Sequence, residues 1–352
     1  MRLLYLTTPD EDYLQDQVLI GLRRLLGDRC VEYPRKEALY KSCERPSSEL
    51  YGNGFTVWKT LPDCDVDRED VRGRLVDGEF DVVVFGNVQR QKELFWEFER
   101  ERYFDRADTT FVFLDGQDFI RRHNVLWQYG RRALDSVKRR TRWRGRTDKL
   151  LVYPIFEPAL SYGPYFKREL TKAVHDSYRT APLFTTSFSI PREKVRGELP
   201  SKEKPFPRHV QCDEAYELPS VAEHSVDEKV FESEQPYYDD IAASKFGVTE
   251  KKSGWDCMRH YEIAANATVP CFYRLHDKPT LCAPHGLRDM HNCVAFSDAD
   301  ELAYKLDWIA SNDLYDRLQR NALSWARAST CRMRAREVLS TVGQGSGSDA
   351  DV

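Results

Sequence analysis

The fold of this chain is decided by residues 237–275, YYDDIAASKFGVTEKKSGWDCMRHYEIAANATVPCFYRL. Their pattern predicts a helix, a short strand over 245–249, a polar loop, a second helix from about Asp256 to Asn266, and a strand over 269–275. Apolar residues in the first helix recur at spacings of three and four, which gives that helix one buried face. Asp256 is expected at the N-cap or in the first turn of the second helix, where the helix dipole favours a carboxylate.

The loop before the second helix has the features of an anion-binding site. A Ser-Gly turn that opens a helix presents unpaired backbone N–H groups and the positive end of the helix dipole. Lys251 and Lys252 precede this turn, and Arg259 follows it. Glu262 lies three residues after Arg259, so the two side chains share a helix face. Cations beside one carboxylate suit the phosphates and the ribose of a nucleoside diphosphate. An exposed Arg–Glu pair on a surface helix also explains this spacing.

The same segment resembles a known sugar-transferase motif. The pattern Lys-Ser-Gly-Trp-Asp-x-x-Arg-x-Tyr-Glu-x-x-Ala-x-x-x-x-Val-Pro is similar to the donor-site segment of GT-B glycosyltransferases, especially the exostosin-like and spore-coat-type enzymes. This resemblance implies that Glu262 holds the donor ribose and that basic residues hold the diphosphate. Ala267 stands where those families usually have glycine. The donor-binding residues implied by the resemblance are Lys251, Lys252, Ser253, Gly254, Arg259 and Glu262.

Length and composition bound the class of protein. The chain has 352 residues, which is enough for two ordinary domains, and 41% of them are hydrophobic, as in a soluble globular protein. A net charge of −4 argues against a general nucleic-acid binder. We find no apolar run long enough to span a bilayer, and the N-terminal sequence becomes polar too early for a secretory signal. Nine scattered cysteines without a Cys-x-x-Cys pair indicate reduced thiols in a cytosolic protein.

The first part of the chain has the pattern of a parallel α/β domain. Strands are predicted over 2–7, 30–33, 80–85, 110–114 and 150–155, and an amphipathic helix is predicted over 13–26. The 80–85 segment contains a continuous β-branched run, which is typical of a strand buried on both faces.

Three polar residues follow predicted strands of this domain: Asp10, Asn87 and Asp115. Ligands of parallel α/β sheets sit beyond the carboxyl ends of the strands, so these side chains are candidates to face a cleft. Asp10 and Asp115 are also the candidates for a catalytic base. All three are equally ordinary turn residues.

Metal binding is not expected. Asp63-Cys64-Asp65 has the form of the Asp-x-Asp metal motif of another large class of sugar transferases, but it precedes a helical segment, so helix capping and solvation explain it better. The resemblance to GT-B enzymes implies no cofactor, with the nucleotide-sugar donor acting as a co-substrate.

Residues 121–149 form a basic stretch with eleven Lys or Arg side chains against two aspartates, and three aromatic residues are interleaved. Such a stretch is able to dock on anionic lipid, on a charged glycan or on nucleic acid. A solvated basic face is the alternative. The cations are Arg121, Arg122, Arg131, Arg132, Lys138, Arg139, Arg140, Arg142, Arg144, Arg146 and Lys149.

The sequence pattern and the resemblance to GT-B enzymes together predict an α/β, GT-B-like protein with two Rossmann-type parallel-sheet domains that face a cleft. The predicted domains are an N-terminal acceptor-side domain (1–190), a C-terminal nucleotide-sugar-binding domain (191–342) and a disordered tail (343–352). We expect a cytoplasmic, metal-independent hexosyl- or pentosyltransferase acting on a hydroxyl of a glycan or other acceptor. The open alternatives are another nucleotide-binding enzyme, a non-catalytic nucleotide-sugar or glycan-binding module, and a transferase that meets nucleic acid, a lipid-linked acceptor or a membrane surface through residues 121–149.

Overall fold

The structure is a computed structural model that describes residues 1–118, 155–283 and 285–342. Two predicted features lie outside the described residues: the basic stretch 121–149 and the tail 343–352. All but the last residue of the strand predicted over 150–155 lies outside them as well. Below, residues 1–190 and 191–342 are called the first half and the second half of the chain.

The first half is built on a six-stranded sheet in which every neighbouring pair of strands is parallel. The strand order is β2-β1-β3-β4-β5-β6. The β-branched run predicted to be buried on both faces is β3, and all four of its residues are buried. The strands are β1 (Leu3–Leu6), β2 (Cys30–Tyr33), β3 (Val82–Phe85), β4 (Thr110–Asp115), β5 (Tyr165–Lys167) and β6 (Leu183–Thr185).

Helices connect these strands along the chain. The predicted amphipathic helix is α1, which begins at Tyr13 and ends at Leu26. The Asp12 side chain caps it by accepting a hydrogen bond from the Gln15 N–H at 3.0 Å. The described helices of the first half are α1 (Tyr13–Leu26), α2 (Val71–Val76), α3 (Lys92–Arg100) and α4 (Lys172–Ser177).

The second half carries a smaller sheet of three parallel strands in the order β7-β8-β9. Two parallel sheets in one α/β chain confirm the predicted fold class, and the domain limits stay a prediction. The strands are β7 (Phe246–Thr249), β8 (Val269–Tyr273) and β9 (Val294–Phe296). The helices are α5 (Pro219–Ala222), α6 (Glu234–Ala242), α7 (Met258–Ala265), α8 (Ala299–Ser311), α9 (Tyr315–Ala328) and α10 (Cys331–Val342). Among the described helices, none is both long and apolar enough to cross a bilayer.

The start of α7 differs from the sequence prediction. Cys257, not Asp256, occupies the N-cap position. The Asp256 carboxylate is buried and accepts hydrogen bonds from the Phe188 N–H at 2.5 Å and from the Tyr261 hydroxyl at 3.0 Å. Burial raises the pKa of Asp256 to about 6. A contact with the first half therefore takes the carboxylate that local sequence assigned to the helix cap.

The last helix returns to the first sheet. Helix α10 packs against α1, and its residues Ala335 and Val338 are buried. The approach is close at Gly21, where a Cβ atom would lie 2.0 Å from the Cys331 carbonyl oxygen and 2.8 Å from the Ala335 Cβ. A glycine in the middle of α1 is therefore required by packing, because any side chain there would push the two helices apart.

Replacing Gly21 by alanine tests this packing. Alanine favours a helix interior over glycine by up to about 1 kcal/mol, so local propensity alone would stabilise the variant. Overpacking of a tight contact typically costs about 1–3 kcal/mol. We therefore expect Gly21→Ala to lower the free energy of unfolding in urea.

Gly197→Ala is the matched control, because no atom lies within 4 Å of a Cβ built there. This control should unfold at nearly the same urea concentration as the parent. A Gly21→Ala protein as stable as the parent or more so would contradict the packing argument.

Candidate functional site

A cleft of about 410 Å³ lies between the two halves. Its first-half wall consists of Tyr13, residues 51–53 and Phe55, and its second-half wall includes residues 248–250 and 257–259. The carboxyl end of β7 and the first turn of α7 therefore form part of the second-half wall. Parallel α/β sheets bind ligands beyond the carboxyl ends of their strands, so this is the expected place for a ligand.

Glu262 and Arg259 both line this cleft. Glu262 is 7% exposed, and each of its carboxylate oxygens accepts a hydrogen bond. Oε1 accepts from the Thr56 hydroxyl at 2.6 Å and Oε2 from the Tyr237 hydroxyl at 2.7 Å. The Arg259 guanidinium lies 5.6 Å from the centre of the Tyr237 ring and donates to the His209 carbonyl oxygen at 3.3 Å. The structure thus brings the two motif residues to one wall around Tyr237.

The predicted phosphate turn contributes unequally to the cleft. Lys252 lines it, with its Nζ 2.7 Å from a carboxylate oxygen of Glu250. Lys251 and Ser253 are exposed and lie outside the cleft walls, and the Lys251 Nζ is 5.8 Å from the centre of the Trp255 ring. Their assignment to the donor phosphates stays a prediction.

Gly254 is buried against the first half. A Cβ atom at this position would lie 2.5 Å from the Glu169 Oε1 and 2.6 Å from the Asp118 Oδ1. Glycine is required here because the backbone passes close to two carboxylates of the first half. A role for Gly254 in holding phosphate stays a prediction.

Sequence reasoning missed a buried arginine beside this turn. Arg168 is 1% exposed and forms an ion pair with Asp118. Its Nη1 donates to the Glu169 Oε1 at 2.9 Å and to the Asp256 carbonyl oxygen at 3.0 Å, and its Nη2 donates to the Gly116 carbonyl oxygen at 3.0 Å. Its partners come from both halves, so Arg168 joins the end of the first sheet to the loop before α7.

Two histidines near the cleft are held neutral. His209 lines the cleft and is 5% exposed; burial and the nearby Arg259 lower its pKa to about 4. His260 is buried, and its ring nitrogens lie 2.7 Å from the Thr249 hydroxyl and 3.0 Å from the Trp255 carbonyl oxygen. Burial lowers the pKa of His260 to about 4. Neither ring adds positive charge to the cleft at neutral pH.

A further cation of the cleft is Lys229, which is exposed and lines the wall. It belongs to the irregular segment before α6, where the sequence shows no periodic signal. The pattern around Lys229 therefore gives no means of predicting that it lines the same cleft as Arg259 and Lys252.

The two candidate bases lie outside the cleft walls. Asp115 is completely buried, and its carboxylate accepts hydrogen bonds from Lys167 Nζ at 3.0 Å, from the Tyr165 hydroxyl at 2.6 Å and from Gln89 Nε2 at 3.0 Å. The Asp10 side chain is 76% exposed. Asp115 therefore sits in a closed polar network and Asp10 in solvent, and a catalytic role for either stays a prediction.

The acidic turn that was compared with an Asp-x-Asp motif has local partners. The Asp63 carboxylate accepts hydrogen bonds from the Ser42 N–H at 3.2 Å and from Arg35 Nη2 at 3.1 Å. Within the described parts of the chain, no group of three or more His, Cys, Asp or Glu side chains is arranged to hold a metal ion.

Comparison with known proteins identifies the fold. No protein-family model and no curated protein matches the chain. Among solved structures, Anabaena HepE in complex with UDP is similar over 98% of this chain and 100% of its own, with a TM-score of 0.53 and 8% identity. HepE in complex with UDP-glucose has a TM-score of 0.53 at 9% identity over the same shares. A glycosyltransferase from Rickettsia africae ESF-5 covers 99% of both chains, with a TM-score of 0.51 and 9% identity. At such identities the likeness establishes the fold, and it confirms the predicted GT-B-like architecture.

Replacing Arg168 by methionine tests the junction between the halves. The variant would leave the buried Glu169 carboxylate without its cation, and removing one partner of a buried ion pair typically costs about 3–5 kcal/mol. We expect a decrease of that size in the free energy of unfolding, measured in urea at pH 7.

Lys172→Met is the control, because Lys172 forms an exposed ion pair with Asp176 in the same half. It should leave the unfolding transition nearly unchanged. If both variants unfolded at the parent's urea concentration, Arg168 would not be the joining residue that its contacts indicate.

Proposed function

We propose that the protein transfers a sugar from a nucleotide-sugar donor to a hydroxyl of an acceptor. The observation that carries the proposal is the wall of the cleft at the start of α7, where Arg259 and the oriented carboxylate of Glu262 lie side by side. UDP and UDP-glucose are bound by HepE, so uridine nucleotides are the first donors to test. A glycan is the first acceptor to test.

Glu262 is suited to the ribose hydroxyls of the donor. An ionised carboxylate has about four acceptor sites, and two of them are used by Thr56 and Tyr237. The remaining sites are available to hydroxyl donors that enter the cleft. Because Glu262 is fixed from two sides, a bound ribose would not have to order this side chain first.

The cations suit the diphosphate. Arg259 belongs to the first turn of α7, so its charge adds to the positive end of the helix dipole. Lys252 and Lys229 line the same cleft from two other loops. We assign Lys251, Ser253 and Gly254 to the surrounding phosphate turn, as the resemblance implies. These groups would stabilise the charge that develops on the departing nucleoside diphosphate.

The acceptor hydroxyl would be bound on the first-half side of the cleft. We retain Asp10 and Asp115 as candidates for its deprotonation, and Asp10 is the one that solvent reaches. We also propose that residues 121–149, which lie outside the described residues, receive an anionic acceptor or a membrane surface. We further propose a cytoplasmic location, which the scattered cysteines favour.

The donor site is tested with Glu262→Ala. Loss of hydrogen bonds to a charged group should weaken binding of UDP by roughly 1.5–3 kcal/mol, measured by titration calorimetry. The parent, incubated with a panel of nucleotide sugars, should release nucleoside diphosphate and transfer labelled sugar to a glycan acceptor, and the variant should do so more slowly.

Glu232→Ala is the control, since Glu232 is exposed and does not line the cleft. It should bind UDP as the parent does. A parent that binds a nucleotide sugar but never cleaves it would identify a binding module instead of a transferase. Unchanged nucleotide binding by Glu262→Ala would remove Glu262 from the donor site.

Metal independence is a separate part of the proposal. Arg259, Lys252 and the start of α7 supply positive charge where the leaving diphosphate would lie, so we expect these groups to replace a divalent cation. Sugar transfer should continue at the parent rate in excess EDTA. Activity that is lost in EDTA and restored by manganese or magnesium would overturn this expectation.

A further inference from the structure

Thr56 is a buried residue in an unusual backbone conformation. It is 0% exposed, and its φ of 77° lies in the left-handed region. A β-branched residue seldom adopts this conformation, because its Cβ substituents crowd the backbone there. Such conformations persist where surrounding contacts fix them, and they cluster at functional sites.

Two kinds of contact hold Thr56. Its backbone N–H donates to the Glu234 Oε1 at 2.5 Å. Its hydroxyl donates to the Glu262 Oε1 at 2.6 Å and lies 2.6 Å from the Tyr238 hydroxyl. A hydroxyl has only one proton to donate, so the Tyr238 hydroxyl is the donor in the second contact. The chain of hydrogen bonds runs from Tyr238 through Thr56 to the Glu262 carboxylate.

The phenols of this network remain protonated at neutral pH. Burial raises the pKa of Tyr238 and of Tyr237 well above the ordinary value for tyrosine. Tyr237 therefore donates to the Glu262 Oε2 while Thr56 donates to Oε1. One donor on each oxygen sets the rotation of the carboxylate about its final bond.

Thr56 differs from Tyr237 in its position relative to the cleft. Tyr237 and Glu262 line the cleft, whereas Thr56 does not. Thr56 also belongs to the first half of the chain and reaches Glu262 across 206 positions of sequence. Thr56 therefore contacts the cleft lining through the side chain of Glu262, and it lies next to Phe55 of the first-half wall.

We propose that Thr56 is a positioning residue, which orients the Glu262 carboxylate toward the ribose hydroxyls of the donor. This inference rests on the proposed function, because it assigns the ribose to Glu262. It adds that the ribose site of the second half is complete only when the first half is in contact with it. Glycine and asparagine suit this φ better than threonine, but neither supplies a hydroxyl group.

The test compares nucleotides with and without ribose hydroxyls. UDP, GDP and ADP, each beside its 2′,3′-dideoxy form, are titrated into the parent, and the pair that binds most tightly is used. Thr56→Val keeps the shape of the side chain and removes the hydroxyl. It should weaken binding of the ribonucleotide about 10-fold, the effect of one hydrogen bond of about 1.4 kcal/mol, and leave binding of the dideoxynucleotide unchanged.

Two further variants separate positioning from folding. Thr56→Ser keeps the hydroxyl and should bind both nucleotides as the parent does. Thr56→Gly lacks the hydroxyl but adopts a positive φ without strain, so it removes the hydroxyl without placing a β-branched residue in this conformation. It should show the same selective loss for the ribonucleotide.

Three results would overturn the inference. Equally weakened binding of the ribonucleotide and the dideoxynucleotide would identify a structural role for Thr56. Unchanged or tighter ribonucleotide binding by Thr56→Val and Thr56→Gly would show that the hydroxyl does not help Glu262 to bind ribose. In both cases a parent that still binds and cleaves nucleotide sugars leaves the proposed function standing. A parent that binds no member of any pair would overturn the proposed function and this inference together.

Discussion

The arrangement of the two halves depends on the contacts of the buried Arg168 guanidinium. A charge removed from solvent must be paired and hydrogen-bonded, or it destabilises the fold by several kcal/mol. Arg168 meets this requirement with carboxylates and a carbonyl of the first half and with the Asp256 carbonyl of the second half. Because Asp256 directly precedes the cap of α7, the same contact fixes where that helix begins and thus where the cleft wall lies.

Positive charge is concentrated on the cleft wall at the start of α7. Arg259 and Lys252 are charged, and the first turn of α7 adds its partial positive charge. The neighbouring histidines, His209 and His260, are neutral because they are buried. Glu262 supplies an oriented carboxylate to this wall, fixed by two hydroxyl groups. A nucleoside diphosphate presents the complementary groups: anionic phosphates at one end and ribose hydroxyl groups at the other.

Two further contacts join the two halves. Helix α10 follows the second sheet in sequence but packs on α1 of the first half, where Gly21 permits close contact with the Cys331 carbonyl. Thr56 reaches in the opposite direction, from the first half to Glu262. Each half therefore contributes a contact to the other, and a change in these contacts would alter the cleft wall at Glu262.

The sequence by itself determined the helices and strands that follow from local hydrophobic periodicity and from short motifs. Continuous β-branched residues placed β3, apolar spacing placed α1 from Tyr13 to Leu26, and a spacing of three placed Arg259 and Glu262 on one face of α7. Only the tertiary structure decided the contacts of Thr56 and Arg168 across the two halves, because these partners lie 206 and 88 positions away and no periodic pattern connects them. The same reason explains why Asp256 was expected at a helix cap: local spacing favours a cap, but a contact between the halves took the carboxylate.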